Sequence, residues 1–291
     1  MAEIKGICVP VCTVFDKTGD KIDEGATKAH VDTMIEAGVH IILSCGGTGE
    51  FAYLTEAERR RLHEIIGRHV GKRAGFMAHA SATSTRDAVD NVKAALDCGA
   101  QSVMMLPPYF EGPTVEGVLF HYERIAKAAG KVPVVAYNIP QSSNRDITPE
   151  IFAELSKMGI KHIKDSMANL VRIQQLLQTG AKVMNGGDPI AFEAMVAGTV
   201  GCIWGAVNAM PREAVELYTL VSAGKLAEAR DLWRRMLPAQ LFFWTHDYNP
   251  SIKAATNRLG GKVGQCRMPL QPLGKEDMAQ LERALAGLRP A

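Results

Sequence analysis

The chain has 291 residues, of which 47% are hydrophobic and 22% are charged, so it can bury one large core or two modest ones. Its 33 basic and 31 acidic residues leave a net charge of +2, which excludes the strongly basic surface typical of proteins that bind nucleic acid or anionic membranes. The partners to expect are small molecules and further copies of the chain.

The N-terminal residues contain no basic segment followed by an apolar one, and no stretch approaches the length of a membrane-spanning helix. The six cysteines are scattered without a C-x-x-C pair, which favours reduced thiols over disulfides or metal ligands. These features predict a soluble, cytoplasmic protein.

Short apolar and β-branched runs recur along the chain, and each of the first seven is followed by a segment with helical periodicity. The predicted strands span residues 7–14, 40–44, 74–79, 102–106, 132–138, 160–165, 181–185 and 199–204. The helices predicted between them span residues 23–37, 55–70, 84–98, 114–129, 149–158, 168–179 and 188–197. Two helix starts are marked by sequence, because Thr55-Glu-Ala-Glu58 has the form of a capping box and Thr148-Pro149 places a hydroxyl at the N-cap.

Repeated βα units without a Pro-, Gly- or Ser-rich linker predict an α/β protein, a (β/α)8 TIM barrel over residues 1–210. Residues 211–291 are predicted to form a C-terminal helical extension packed on the barrel as part of the same structural unit, with helices at 211–223, 225–244, 250–259 and 275–287. An open doubly wound sheet would have a glycine-rich phosphate turn after its first strand. The sequence Val9-Pro-Val-Cys-Thr-Val-Phe-Asp16 has no such glycines, which disfavours that alternative.

The working site of such a barrel lies at the C-terminal ends of its strands, and the sixth predicted strand runs into Lys164 at that end. A lysine among apolar barrel layers is expected to have a lowered pKa, because desolvation disfavours its ammonium form, and the neutral amine can attack a ketone. The structural alternative is a lysine paired with Asp165 or another acid.

Two further strand ends carry polar groups. The second strand leads into Cys45-Gly-Gly-Thr-Gly-Glu50, where backbone N–H groups can converge on an anion, although a plain strand-to-helix turn would look the same. The fifth ends near Tyr137, which is either a proton-transfer group or a core tyrosine. A 2-oxo acid needs an amine for its ketone, N–H donors for its carboxylate and a hydroxyl to move protons, which Lys164, Gly47 with Thr48, and Tyr137 would supply.

The chain resembles the dihydrodipicolinate synthase/N-acetylneuraminate lyase superfamily of Schiff-base class I aldolases, synthases and dehydratases. The motifs that carry the resemblance are Gly46-Gly-Thr-Gly-Glu50, Pro107-Pro-Tyr-Phe110, Tyr137-Asn-Ile-Pro140, Ile163-Lys-Asp-Ser166, Gly186-Gly-Asp188 and Asn249-Pro-Ser-Ile-Lys253. The resemblance implies Lys164 as the Schiff-base lysine, Tyr137 as the proton shuttle and Gly47 with Thr48 as the carboxylate-binding turn. It further implies a homotetramer without metal or organic cofactor, and substrate contacts from Ser166, Ile203, Tyr109, Phe110 and Ser142.

Three departures from the synthase pattern bear on the substrate. Ser142 stands where the synthase has an arginine that grips the carboxylate of its second substrate, Gly47 replaces a hydroxyl residue, and Phe110 replaces the second tyrosine of a Pro-Tyr-Tyr motif. These departures argue against lysine biosynthesis. By contrast, the sequences Gly-Gly-Thr-Gly-Glu-Phe and Leu-Pro-Pro-Tyr resemble family members that cleave or dehydrate 2-keto-3-deoxy sugar acids, so the resemblance implies a lyase of that class. Three alternatives stay open: 4-hydroxy-tetrahydrodipicolinate (dihydrodipicolinate) synthase, which condenses pyruvate with aspartate semialdehyde, pyrroline-4-hydroxy-2-carboxylate deaminase, and a non-enzymatic sensor of a 2-oxo acid.

Overall fold

The computed structural model describes residues 4–288, in which eight parallel strands close a barrel in the order in which they occur along the chain. Each strand pairs with the next, and β8 pairs with β1 through the register Cys8 to Ile203. The strands are β1 Gly6–Pro10, β2 Ile41–Ser44, β3 Gly75–His79, β4 Ser102–Met105, β5 Val134–Asn138, β6 His162–Asp165, β7 Lys182–Asn185 and β8 Gly201–Ile203. The predicted (β/α)8 barrel is confirmed.

Helices follow the strands and continue past the barrel. They are α1 Glu24–Glu36, α2 Glu56–Val70, α3 Thr85–Asp97, α4 Val115–Ala129, α5 Pro140–Ser143, α6 Pro149–Lys157, α7 Leu170–Gln178, α8 Ala191–Val196, α9 Pro211–Ser222, α10 Leu226–Thr245, α11 Tyr248–Arg258 and α12 Lys275–Ala284. Short 3-10 turns occupy Phe51–Tyr53, Asp188–Ile190 and Gly205–Asn208. The capping box is confirmed, since the Glu58 N–H donates to Thr55 Oγ1 (3.2 Å) and the Thr55 N–H donates to Glu58 Oε2 (2.8 Å).

The predicted first strand is too long at its C-terminal end. Val11, Cys12 and Val14 are buried, yet pairing in the sheet ends at Pro10. Contacts with distant segments hold the chain there, since the Cys12 N–H donates to Asn208 Oδ1 (3.0 Å) and Lys253 of α11 donates to the Thr13 carbonyl (2.7 Å). An apolar run in a sequence indicates that its residues are buried, but buried residues need not be paired in a sheet.

The core has two layers. Alternate strand residues, among them Leu43, Met77, Met104, Val135 and Met184, fill the inside of the barrel. The opposite faces of the strands pack against the helices in a larger layer.

The C-terminal helices contact the barrel, with the rings of Trp204 and Trp233 6.2 Å apart and the Trp204 indole N–H donating to Gln240 (3.1 Å). The domain boundary at residue 210 stays a prediction. None of the helices in residues 4–288 has both the length and the apolar character needed to cross a bilayer.

Candidate active site

Lys164 lies on the inner face of β6 with its side chain only 6% exposed. It is in register with Tyr137 on β5 and with Met184 on β7, both of which belong to the inner layer. Asp165 is the next residue along the strand and faces the other way, where its carboxylate accepts from Arg172 Nε (2.7 Å) and Asn138 Nδ2 (2.9 Å). The alternative in which Asp165 neutralises Lys164 is therefore wrong. Across residues 4–288, no carboxylate lies within 4.0 Å of Lys164 Nζ.

Tyr137 is buried beside this amine. Lys164 Nζ lies 4.1 Å from the centre of the Tyr137 ring, over its face. A cation in this position is stabilised by the ring, which offsets part of the cost of burying it. The pairing of β5 with β6 sets the contact, so the phenol is held next to the nitrogen that would react.

The glycine-rich turn after β2 is tightly folded. A side chain at Gly46 would come within 2.7 Å of Pro10 Cβ, and one at Gly49 within 3.0 Å of the Val11 carbonyl oxygen. The turn ends at Glu50, which has a left-handed backbone (φ 60°). Asn249 Nδ2 donates to the Gly47 carbonyl (3.0 Å), so the turn is held from α11 as well. A turn fixed in this way keeps its N–H groups in place for an anion.

A cavity of about 440 Å³ opens at the C-terminal ends of the strands. Six of the nine predicted site residues line it, namely Gly47, Thr48, Tyr137, Lys164, Ser166 and Ile203. The structure therefore brings the predicted amine, phenol and turn to one space.

The other three predicted residues lie away from this cavity. Tyr109 packs edge-on against Phe51, with ring centres 6.1 Å apart, and lines a separate groove. Phe110 is 78% exposed, and its carbonyl accepts from Asn144 Nδ2 (2.7 Å). Ser142 is exposed on α5. Substrate contact by these three residues stays a prediction.

Sequence reasoning assigned no role to two residues that the cavity brings together, Asp188 and Tyr248. Tyr248 Oη donates to Asp188 Oδ2 (2.8 Å), and Asp188 is only 2% exposed. Burial raises the pKa of Asp188 to about 7, against the opposing effects of the Tyr248 hydrogen bond and the Lys164 charge. The motif Gly186-Gly-Asp188 was the available signal, but the partner tyrosine is 60 residues away in sequence.

Glycines let these groups approach one another. A side chain at Gly186 would collide with Ser166 Oγ and come within 2.7 Å of Lys164 Cε. One at Gly205 would collide with the Tyr248 hydroxyl and lie 2.5 Å from Thr48 Oγ1. Substrate space above the lysine therefore depends on two positions without a Cβ.

The charges around the cavity are unequal. Within residues 4–288, Lys164 is the only lysine or arginine among its lining residues, whereas Asp188 and Asp247 both contribute carboxyl groups. Gln141 and Asn249 add neutral amides. The arrangement can hold one carboxylate at the glycine turn, place a ketone at the amine and offer uncharged polar groups to the rest of a ligand.

Comparison with known proteins agrees with this geometry. The sequence model of the dihydrodipicolinate synthetase family matches residues 3–288. The 4-hydroxy-tetrahydrodipicolinate synthase of Acidiphilium cryptum is 33% identical over 287 residues, covering 97% of this chain and 98% of that protein. The protein of the same name from Anaeromyxobacter dehalogenans is 32% identical, with coverage of 98% and 97%.

Two solved structures match over nearly their whole length. The chloride-inhibited dihydrodipicolinate synthase from Acinetobacter baumannii, complexed with pyruvate, has a TM-score of 0.92 at 29% identity and coverage of 98% of this chain and 99% of that chain. The 4-hydroxy-tetrahydrodipicolinate synthase from Methylacidiphilum fumariolicum SolV has a TM-score of 0.93 at 26% identity, with coverage of 98% and 96%. The match of the family model over nearly the whole chain confirms the resemblance, and the chain belongs to the dihydrodipicolinate synthetase family.

Proposed function

We propose that the chain is a Schiff-base lyase that acts on a 2-oxo acid through an imine at Lys164. The observation that carries the proposal is the placement of Lys164 Nζ, buried in the cavity without a carboxylate partner and 4.1 Å from the Tyr137 ring. A relative of the same family, from Acinetobacter baumannii, was solved with pyruvate, the simplest 2-oxo acid with a carbon next to its ketone.

The steps follow from the groups at hand. The neutral Lys164 amine adds to the ketone, and Tyr137 moves the protons needed to expel the ketone oxygen as water, which leaves a protonated imine. The substrate carboxylate lies at the turn of Gly47 and Thr48, whose N–H groups offset its charge. The protonated imine then withdraws the electron pair of a bond at the neighbouring carbon, C3, and becomes an enamine.

We propose a 2-keto-3-deoxy sugar acid as the substrate class, so that the enzyme is an aldolase or a dehydratase. Beyond the ketone, the substrate would meet Asp188, Asp247 and the Gln141 amide, and no guanidinium. Hydroxyl groups suit carboxylate and amide partners, whereas a second carboxylate would face like charge, with no lysine or arginine besides Lys164 among the described lining residues to bind it.

The second candidate is 4-hydroxy-tetrahydrodipicolinate synthase, which is favoured by the names of the relatives from Acidiphilium cryptum and Anaeromyxobacter dehalogenans. Against it stands Ser142, an exposed serine where the resemblance calls for an arginine. The chemistry is shared up to the enamine, so the electrophile or leaving group decides between the two.

A substrate panel tests the assignment. Purified protein is given 2-keto-3-deoxygluconate, 4-hydroxy-pyrroline-2-carboxylate, or pyruvate with aspartate semialdehyde, and pyruvate, dehydrated product, ammonia and condensation product are measured. We expect turnover of the hydroxylated acid to exceed condensation by about 30- to 140-fold, because a missing charge-assisted contact costs roughly 2–3 kcal/mol. Faster condensation in the parent would reassign it as the synthase, ammonia release would identify the deaminase, and turnover of no compound would identify a sensor.

One variant strengthens the comparison. Ser142→Arg is expected to raise condensation with aspartate semialdehyde, since it adds a guanidinium where the synthase has one, and Ser142→Gln is the matched control without charge. Equal effects of the two substitutions would remove Ser142 from the explanation of specificity.

We also propose that the protein is a homotetramer of the cytoplasm. The exposed Phe110, with Val115 and Phe120 exposed nearby in sequence, is consistent with a covered surface. Light scattering after gel filtration tests the assembly, and a monomer at micromolar concentration would contradict it. Cell fractionation tests the location, and recovery with membranes or outside the cell would contradict that part.

A further inference from the structure

The Asp188 carboxyl is a buried acid that the proposed chemistry at Lys164 and Tyr137 leaves unused. It follows β7 in a 3-10 turn, and across residues 4–288 no lysine, arginine or histidine nitrogen lies within 4.0 Å of it. The Tyr248 hydroxyl, at the start of α11, donates a hydrogen bond to it (2.8 Å), and the Trp204 side chain is a second hydrogen-bonding neighbour. Ionising a carboxyl that is buried beside a phenol rather than a cation costs folding free energy, which points to a functional role for Asp188.

The position of Asp188 relative to the Lys164 amine indicates what that role is. Tyr137 lies on β5 and Asp188 follows β7, whereas Lys164 lies on β6 between those two strands. The turn before Asp188 packs directly on the lysine, since Gly186 has no room for a Cβ beside Lys164 Cε. Asp188 and Tyr248 both line the cavity. Two different acid–base groups therefore flank the amine, one on each side.

The protonation chemistry of the pair suits proton exchange. The titratable groups that face Asp188 are Lys164 from β6, Tyr248 from α11 and Cys202 from β8. Burial raises the pKa of Asp188 to about 7, so the carboxyl can take and release a proton near neutral pH. Burial and the neighbouring Asp188 raise the pKa of Tyr248 well above its usual value, so Tyr248 stays a phenol and a hydrogen-bond donor. Burial also raises the pKa of Cys202 to about 12, which keeps it a thiol.

We propose that Asp188 is a second catalytic residue, which exchanges a proton with the substrate hydroxyl on C4, the carbon beyond C3, and that Tyr248 positions it. The inference rests on the proposed imine chemistry at Lys164. Tyr137 would serve the ketone oxygen and C3, while Asp188 would serve C4. This division assigns one group to each reacting end of the substrate.

The steps balance for both reactions of the proposed class. In cleavage, the Asp188 carboxylate takes the C4 hydroxyl proton, C4 becomes an aldehyde, and the electron pair of the C3–C4 bond converts the protonated imine to an enamine. The proton on Asp188 then passes through solvent to Tyr137, which protonates C3 of the enamine and restores the protonated imine. Hydrolysis of that imine releases pyruvate and the Lys164 amine, and the proton it frees restores the Tyr137 phenol. In dehydration, the Tyr137 phenolate left by imine formation removes a C3 proton, and the enamine expels the C4 hydroxyl, which leaves as water with the proton of Asp188. Hydrolysis of the imine then releases the product and returns a proton to Asp188.

The test separates chemistry at C4 from formation of the imine. Asp188→Asn and Tyr248→Phe are compared with the parent in three measurements: borohydride trapping of pyruvate, exchange of the pyruvate C3 protons with deuterated water, and turnover of 2-keto-3-deoxygluconate. Trapping and exchange need Lys164 and Tyr137 only, so we expect both variants to retain them. Turnover is expected to fall about 10²- to 10⁴-fold in Asp188→Asn, the usual contribution of a general acid or base.

The pH profile distinguishes a positioning role for Tyr248 from a structural one. The Tyr248 hydrogen bond lowers the pKa of Asp188, so its removal raises that pKa and moves the limb of the turnover profile that reports Asp188 to higher pH. Asp231→Asn, at an exposed position of α10, and Tyr218→Phe, on α9, are the matched controls and should behave as the parent.

Three results would overturn the inference: parent-like turnover in Asp188→Asn, an unmoved limb in Tyr248→Phe, or loss of pyruvate exchange together with turnover in Asp188→Asn. If Asp188→Asn does not fold, the shift of the Asp188 limb of the turnover–pH profile in Tyr248→Phe is the measurement that decides whether the inference holds. Failure of the parent to trap pyruvate is a different result, since it would remove the imine at Lys164 and not merely the role of Asp188.

Discussion

Replacement of Lys253 by methionine should be among the most destabilising single changes in the chain. Lys253 on α11 is 2% exposed, and its Nζ lies 2.6 Å from Glu50 Oε1, whose side chain is fully buried. The same Nζ donates to the carbonyls of Thr13 (2.7 Å) and Gln265 (2.9 Å). One ammonium therefore joins the glycine turn, the segment after β1 and the C-terminal loop.

Substitution of Lys253 and substitution of Glu50 should lower the free energy of unfolding by different amounts. Lys253→Met leaves a buried carboxylate that keeps only uncharged donors, the Arg267 N–H at Oε2 (2.8 Å) and the Cys266 thiol, so we expect a loss of about 3–5 kcal/mol in the free energy of unfolding. Glu50→Gln leaves the ammonium with two carbonyl acceptors, and its cost should be about 1–3 kcal/mol. Because both changes break one pair, the double variant should cost clearly less than the sum of the single ones.

Urea unfolding followed by circular dichroism measures these differences. Lys157→Met removes a lysine from an exposed ion pair with Glu154 and should cost no more than about 1 kcal/mol, which makes it the matched control. Equal costs for Lys253→Met and Lys157→Met, or strict additivity in the double variant, would refute the reasoning from burial.

Three further expectations concern the site and its supports. Gly205→Ala places a methyl group against the Thr48 hydroxyl, so KM for pyruvate in the exchange reaction should rise by at least about tenfold, or about 1.4 kcal/mol. An unchanged KM would show that a methyl group at position 205 does not disturb Thr48. Arg172→Met removes the cation paired with the buried Asp165 carboxylate, so the free energy of unfolding in urea should fall by about 3–5 kcal/mol. A fall of less than about 1 kcal/mol would contradict the importance of this ion pair. Arg267 donates to Glu58 and lowers the pKa of that carboxyl from 4.5 to about 2, so its stabilising effect is complete above pH 4.5 and disappears as the pH falls toward 2. The midpoint of thermal unfolding should therefore fall more steeply over that range in the parent than in Arg267→Ala, and parallel curves would contradict the assignment.

The fold was predictable because its signals are local. Each βα unit carries its own apolar run and helix start, and the number of units fixes the closure of the barrel. The same local signals placed Lys164, Tyr137 and the glycine turn at strand ends, which is why they meet in one cavity. The strand register then brings Tyr137 beside Lys164 without further information.

What could not be predicted depends on contacts between distant segments. The Asp188–Tyr248 hydrogen bond joins residues 60 apart, and Lys253 reaches Thr13 across 240 residues. Residues 11–14 are buried and hydrogen-bonded to Asn208 and Lys253, which are distant in sequence, and their burial was misread as strand pairing. Phe110 and Ser142 were predicted on resemblance alone, and the structure leaves both on the surface. Periodicity identifies elements, but it does not tell which side chains the folded chain brings together.

The imine at Lys164 is tested most directly by reductive trapping. Protein is incubated with pyruvate and sodium borohydride, digested, and examined by mass spectrometry for a reduced pyruvate adduct on the peptide that contains Lys164. We expect one adduct per chain at Lys164, none in Lys164→Arg, and slower labelling in Tyr137→Phe, because the phenol assists proton transfer without forming the bond. No adduct at saturating pyruvate, or an adduct at another lysine that persists in Lys164→Arg, would contradict Schiff-base chemistry at this residue.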